Sequence, residues 1–226
     1  MSIILMRSFE ASQPSKFIEA LNAHNDAHNR KNVAMGQNLA KPSLIIVGGV
    51  YESLAEQQVQ ALENKKAMEA GLMDRAGSPK LLDQGFFNME VTNDPDGTLV
   101  GKAKYVVMTG GPVKIGAVAN AVEIARRIEA KIGPDQLKNG ISSSLLRPLT
   151  GVPMNRVIHR VGLPSLEAAE QFISTSPGDW PADVAEDVRE WISNFTQINR
   201  ALFEVCLLYT SPSPRDQRGS RMPSSA

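Results

Sequence analysis

Two histidines spaced four residues apart are candidates for chemistry. His24 and His28 lie in the stretch AHNDAHNRKN, and residues at i and i+4 of a helix share one face, so both imidazoles could contact one ligand. A catalytic zinc site needs a third protein ligand, and no Glu accompanies the pair as in the HExxH motif. We therefore predict no metal site here. His24 and His28 remain candidates for catalysis or ligand contact, with a solvated helix end as the simpler interpretation.

The third histidine, His159, lies within the predicted strand NRVIHRV. Alternation along a strand places it on the same face as Val157 and Val161. If the valines pack beneath helices, His159 is a core or rim histidine, which is the favoured interpretation. If that face instead lines an interior cavity, His159 is a candidate acid or base.

Cationic side chains on predicted strands form a second candidate set. If they point into a space between two sheets, they suit an anionic or phenolic ligand. On edge strands they would only discourage aggregation, and both alternatives stay open. Lys104 lies with the arginines on predicted strands of the second copy, and Asn88 and Glu90 lie with Arg7 on equivalent elements of the first. The candidate ligand-binding residues are Arg7, Tyr105, Arg147, Arg156 and Arg160.

The stretch VMTGGPVKIG places Gly110 and Gly111 between a predicted strand and a predicted helix that starts at Pro112. Helix N-termini can bind anions. The stretch nevertheless lacks the G-x-G-x-x-G spacing and the Lys–hydroxyl pair of a P-loop, and Pro112 has no amide proton to donate. We therefore predict a tight turn.

The elements that must position these residues occur twice in the same order. Alternating and helical apolar patterns predict βαββαβ over residues 1–93 and again over 102–205, with a turn-rich linker at 94–101. Helix-start signals recur at Ser53 and Ser165, at the same place in each copy. A repeat of about this length indicates domain duplication rather than a solenoid.

The predicted fold class is α+β. Each copy should form a ferredoxin-like antiparallel sheet with two helices on one face. The other face of each sheet would stay uncovered, so we expect the two sheets to pack face to face as an intramolecular α/β barrel.

This order of elements resembles the tandem-repeat form of the dimeric α/β-barrel superfamily. The stretch TGVPMNRVIHRVGLPSLEAAEQFI and the later DWPADV, with the pair Asp179-Trp180, are similar to NIPSNAP-like and antibiotic-biosynthesis-monooxygenase-like members. The resemblance implies a small-molecule-binding barrel.

The resemblance leaves three classes of function open. The first is a monooxygenase-like enzyme that needs no cofactor and acts on an aromatic or polyketide-like substrate. The second is a haem-binding or haem-degrading protein with His24, His28 or His159 as axial ligand. The third is a non-catalytic interaction or stress-related barrel.

The C-terminal segment is predicted to be foreign to the protein. Residues 206–226 resemble the translation of an adaptor used in shotgun DNA sequencing. We therefore expect the native chain to stop near Val205 and treat the rest as a non-native, disordered tail. This tail carries the only cysteine of the chain, Cys206, so we predict no disulfide or thiolate chemistry.

Net charge and hydropathy limit the classes of partner that the protein can have. Formal net charge is zero, so no strong field attracts nucleic acid or anionic lipid. No apolar run reaches the ~18 residues of a membrane span. We expect a cytoplasmic protein that binds a small molecule in the barrel lumen, as a monomer (a pseudo-dimer) or a homodimer, without nucleic acid or membrane partners.

Overall fold

The computed structural model describes residues 3–30, 32–99 and 101–206. Except for Cys206, the predicted foreign tail lies outside these residues. The first copy consists of β1 (Ile3–Glu10), α1 (Pro14–Ala27), β2 (Val33–Asn38), β3 (Leu44–Tyr51), α2 (Leu54–Glu69), α3 (Leu72–Arg75) and β4 (Lys80–Thr92). The second consists of β5 (Tyr105–Pro112), α4 (Val118–Lys138), β6 (Ser142–Thr150), β7 (Arg156–Leu163), α5 (Leu166–Ser174), a 3-10 turn (Pro177–Asp179), α6 (Ala182–Ser193) and β8 (Asn199–Val205).

All eight strands close into one antiparallel barrel. Their order around it is β1-β3-β2-β8-β5-β7-β6-β4. Each copy keeps the ferredoxin-like order, and the two sheets are joined edge to edge by the β4–β6 and β2–β8 pairs. The inner faces of the sheets therefore enclose a common lumen, which confirms the predicted α+β barrel. The domain boundaries at 93 and 102 stay a prediction.

The strand register relates the two copies position by position. Met6 pairs with Gly48 between β1 and β3, and Met108 pairs with Arg160 between β5 and β7. Met6 and Met108 are therefore equivalent, as are Gly48 and Arg160. Because β3 and β7 lie four strands apart in an eight-stranded barrel, the last two residues belong to opposite walls.

Alternate residues of each strand face the lumen or the helices. On the outer face, Phe9 packs with Phe17 of α1, and Val107 packs with Ala169 of α5. On the inner face, four buried residues of the adjacent strands β1, β4, β6 and β7 pack together and are called here the apolar layer: Ile4, Phe87, Leu146 and Ile158. Along β7, Ile158 of this layer lies between the inward-facing positions of Arg156 and Arg160.

The helices cover the two copies unequally. In the second copy α4 and α6 enclose a core that contains Ile124, Leu145 and Trp191. In the first copy α2 buries none of its residues. None of the helices in the described ranges combines the length and hydrophobicity that crossing a bilayer requires.

Local signals around the helix starts were correct in some places and wrong in others. The side chains of Ser53 and Ser165 cap α2 and α5 as predicted. The helix predicted to start at Pro112 begins instead at Val118, because β5 continues through the glycine pair to Pro112.

The predicted tight turn at Gly110 and Gly111 is therefore wrong, and the reason is steric. A Cβ at Gly110 would lie 2.2 Å from the carbonyl oxygen of Val157, and one at Gly111 would lie 2.2 Å from that of Gln197. Both glycines are needed for close backbone approach within the sheet.

Candidate functional site

One end of the lumen is open and forms a cup of about 450 Å³. Its apolar floor contains residues from both copies: Met6, Phe87, Met108, Ile158 and Phe203. This volume lies in the range of small-molecule sites. Because neither sheet alone has all of these residues, the cup exists only in the closed barrel.

The rim of the cup is polar and charged. Arg156 of β7 donates from Nη1 to Oδ2 of Asp83 on β4 at 3.0 Å, with the two side chains 39% and 43% exposed. Ser8 and Asn199 also line the cup. Ion pairs with this much solvent contact contribute at most about 1 kcal/mol, so an incoming anion can replace Asp83 as the partner of Arg156 at little cost.

The connection between β6 and β7 completes the wall. Val152 packs against the apolar layer, and a Cβ at Gly85 would lie 2.8 Å from its Cγ1. Gly85 thus allows Val152 to approach the strand. Gly151, with φ of +87°, provides the left-handed conformation that the connection needs at its start.

The predicted cationic residues are divided between the two faces of the barrel. Arg156 lines the cup, and Arg160 faces the lumen on the opposite side of the apolar layer. Arg7 lies on the outer face and donates to Gln84 Oε1 at 2.7 Å. Arg147 donates to Glu90 Oε1 at 2.6 Å beneath α4, while Tyr105 packs in the outer core near α5.

His24 lies on α1 and His28 is the C-cap residue that follows it, both outside the barrel. They share a face as predicted, with ring centroids 4.6 Å apart. His24 Nε2 lies 3.1 Å from Asn64 Oδ1 and 3.0 Å from Arg30 Nη1. Burial lowers the pKa of His24, and the positive charge of Arg30 lowers it further. Neither histidine belongs to the cup lining.

His159 lies on the outer face of β7, with its ring 6.1 Å from that of Trp191. Its neighbours Val157 and Val161 are buried in the same outer layer. Desolvation lowers the pKa of His159 to about 4, and the charge of Arg200 contributes to the shift. The favoured interpretation, a core or rim histidine, describes its position.

A metal site needs several ligating side chains in one place, and a haem needs an axial ligand. No group of three or more His, Cys, Asp or Glu residues that could hold a metal comes together within the described part of the chain. A haem in the cup would need an axial ligand, and none of His24, His28 and His159 lines the cup. The residues present therefore do not fit a haem bound there through histidine.

Sequence reasoning missed most of the cup. Asp83, Asn199 and the apolar floor residues were not singled out. One signal was available: aligning the two copies by element order places Met6 and Met108 at equivalent strand positions. No comparable signal marks Asp83, because its partner Arg156 is brought close only by barrel closure.

Solved structures match nearly the whole chain. A candidate monooxygenase from Fusobacterium nucleatum superposes with a TM-score of 0.66 at 9% identity, over 91% of this chain and 93% of that chain. An anthrone oxidase-like protein gives 0.59 at 13% identity, over 90% and 91%. A mutant chlorite dismutase from Candidatus Nitrospira defluvii gives 0.55 at 9% identity, over 92% of both chains. The TM-scores show a shared ferredoxin-like α/β-barrel fold, and at these low identities they show the fold alone. No family model matches this chain, and no curated protein matches it by sequence.

The position of His159 predicts a pH dependence of stability. Its folded pKa of about 4 lies below the ordinary value of 6.5, so between these values the unfolded chain binds the extra proton. The stability that depends on a neutral His159 is therefore fully present above pH 6.5. As pH falls toward 4, the free energy of unfolding decreases by up to about 3 kcal/mol. Urea denaturation at pH 7 and pH 4.5 should show a smaller loss in His159→Phe than in the wild type.

The control for this experiment is His28→Gln, which changes an exposed histidine. It should lose as much stability between the two pH values as the wild type. An unchanged loss in His159→Phe would contradict the assignment.

Proposed function

We propose that the cup binds an amphipathic small molecule with a flat apolar body and an anionic or phenolic head. The observation that carries this proposal is an apolar floor directly below a solvent-accessible ion pair, Asp83–Arg156. Ligand sites generally combine an apolar lining with a few placed polar groups, and this cup has both.

The floor favours an aromatic body. Met6 and Met108 offer polarizable thioethers, and Phe87 and Phe203 offer rings, all of which pack well against aromatic surfaces. A negatively charged or phenolic head at the rim would then meet the guanidinium of Arg156, whose planar donors suit oxyanions.

We further propose a monooxygenase-like activity, of the antibiotic-biosynthesis-monooxygenase-like type, that uses dioxygen as co-reactant. The candidate monooxygenase and the anthrone oxidase-like protein of the same fold support this choice. Asp83 would accept a proton from an activated CH₂ group, and Arg156 would stabilise the resulting anion. Transfer of four electrons to O₂ then converts CH₂ into C=O and releases one H₂O.

The other two hypotheses fare differently. No histidine lines the cup, so the haem hypothesis has no imidazole there to act as axial ligand. A non-catalytic barrel shares the same cup and differs only in what happens after binding. The two experiments below separate binding from turnover.

Binding is tested with 1-anilinonaphthalene-8-sulfonate, an aromatic sulfonate, by fluorescence titration. Arg156→Gln should weaken binding about tenfold, because a charge-assisted hydrogen bond is worth about 1.5 kcal/mol. Ala201→Phe should abolish it, since Ala201 lines the cup and a phenyl ring would occupy it. Arg147→Gln, on the outer face, is the control and should bind as the wild type. Wild-type affinity in both cup variants would rule out the site.

Turnover is tested with anthrone in an oxygen electrode, with anthraquinone quantified by chromatography. The wild type should consume O₂ above the uncatalysed rate, and Asp83→Asn should lower this rate by about 100-fold, as expected for loss of a general base. Asp135→Asn, an exposed residue of α4, is the matched control. Dye binding without O₂ consumption would leave a binding barrel and overturn the oxygenase proposal.

A further inference from the structure

The lumen contains an arginine whose charge the described residues do not balance. Arg160 faces the lumen beyond the apolar layer, on the side opposite the cup. Within residues 3–30, 32–99 and 101–206 the structure gives it no hydrogen bond and no ion pair. Burial lowers the pKa of Arg160, which reflects the cost of desolvating its charge. The Arg160 side chain is only partly exposed to solvent, and a partly desolvated charge gains from an oppositely charged partner, so this end of the lumen is suited to an anion.

Hydroxyl groups lie beside Arg160. Ser144 pairs with Arg160 in the β6–β7 ladder, and Ser142 pairs with Gly162 one step further along. Ser144 is 2% exposed, and its Oγ has no hydrogen-bond partner in the structure. A serine hydroxyl can donate to an anion, and paired strand positions place it on the same face as the guanidinium.

The opposite wall leaves room for a ligand. Gly48 is the first-copy equivalent of Arg160, and a Cβ built on it would meet nothing within 4 Å. The first copy thus leaves a gap at the position where the second copy has a long cationic side chain. No positive φ is needed at Gly48, so a side chain there would fill the gap without backbone strain.

We propose that this end of the lumen binds a small oxyanion of the carboxylate class through Arg160 and Ser144. Arg160 is not among the residues that line the cup, and the proposal does not depend on the function proposed for the cup. Arg160 supplies the charge and a planar pair of donors, Ser144 supplies a third donor, and the gap at Gly48 admits the ligand.

The test follows the side-chain Nε–Hε resonances of ¹⁵N-labelled full-length protein during titration with sodium acetate. Sodium chloride keeps the ionic strength constant. The resonance absent from Arg160→Met identifies Arg160. It should shift and saturate in the wild type and in the control Arg147→Gln. Ser144→Ala should weaken binding about tenfold. Gly48→Leu should abolish binding while Arg160 is still present.

Titrations with octanoate and sulfate identify the source of the oxyanion. Octanoate binding at least tenfold tighter than acetate supports the head group of an apolar ligand that contacts the apolar layer. Equal affinities of acetate, octanoate and sulfate support a free small anion. No saturable shift with any of the three would overturn the proposal, as would unchanged acetate binding in both Gly48→Leu and Ser144→Ala. These two variants retain Arg160, and circular dichroism confirms that they fold, so the test stands even if Arg160→Met does not fold.

Discussion

The structure depends on the two seams that join its sheets. A ferredoxin-like sheet has two open edges and one uncovered face, and each would expose unpaired backbone groups or apolar surface to water. The β4–β6 and β2–β8 pairs remove all four edges at once. Closure also turns the two uncovered faces inward, so the same hydrogen bonds that satisfy the backbone create the lumen and its apolar layer.

Duplication followed by divergence explains why the lumen is asymmetric. Equivalent positions keep methionine in both copies at Met6 and Met108, beside the apolar layer. The β3 strand has Leu44 and Gly48 where β7 has Arg156 and Arg160. One strand of the second copy therefore brings positive charge to both ends of the lumen. The first copy contributes the carboxylate of Asp83 at one end and open space at the other.

The repeat and the barrel were predictable because periodicity reports burial. Periodicity does not distinguish the face of a strand that packs under helices from the face that lines the lumen. In β1 and β7 one face is covered by helices and the other faces the lumen. In β7 the sequence left open whether the face with His159 packs beneath helices, the favoured interpretation, or lines a cavity. The ring of His159 lies near that of Trp191, whereas the face with Arg156 lines the lumen. The pair Gly110-Gly111 has turn chemistry, but close strand approach decided its conformation. Asp83 became a partner of Arg156 only through closure, which no local pattern encodes.

Amide hydrogen exchange at the β2–β8 seam is the most direct measurement of closure. There the amide of Leu39 donates to the carbonyl of Leu202 at 3.0 Å and that of Cys206 donates to Met35 at 2.9 Å. In spectra recorded after transfer to D₂O, these two amides should be protected as strongly as those between β1 and β3 within one sheet. Exchange of both at the rate of an unpaired chain, with β1–β3 still protected, would show that the sheets do not close and would contradict the account.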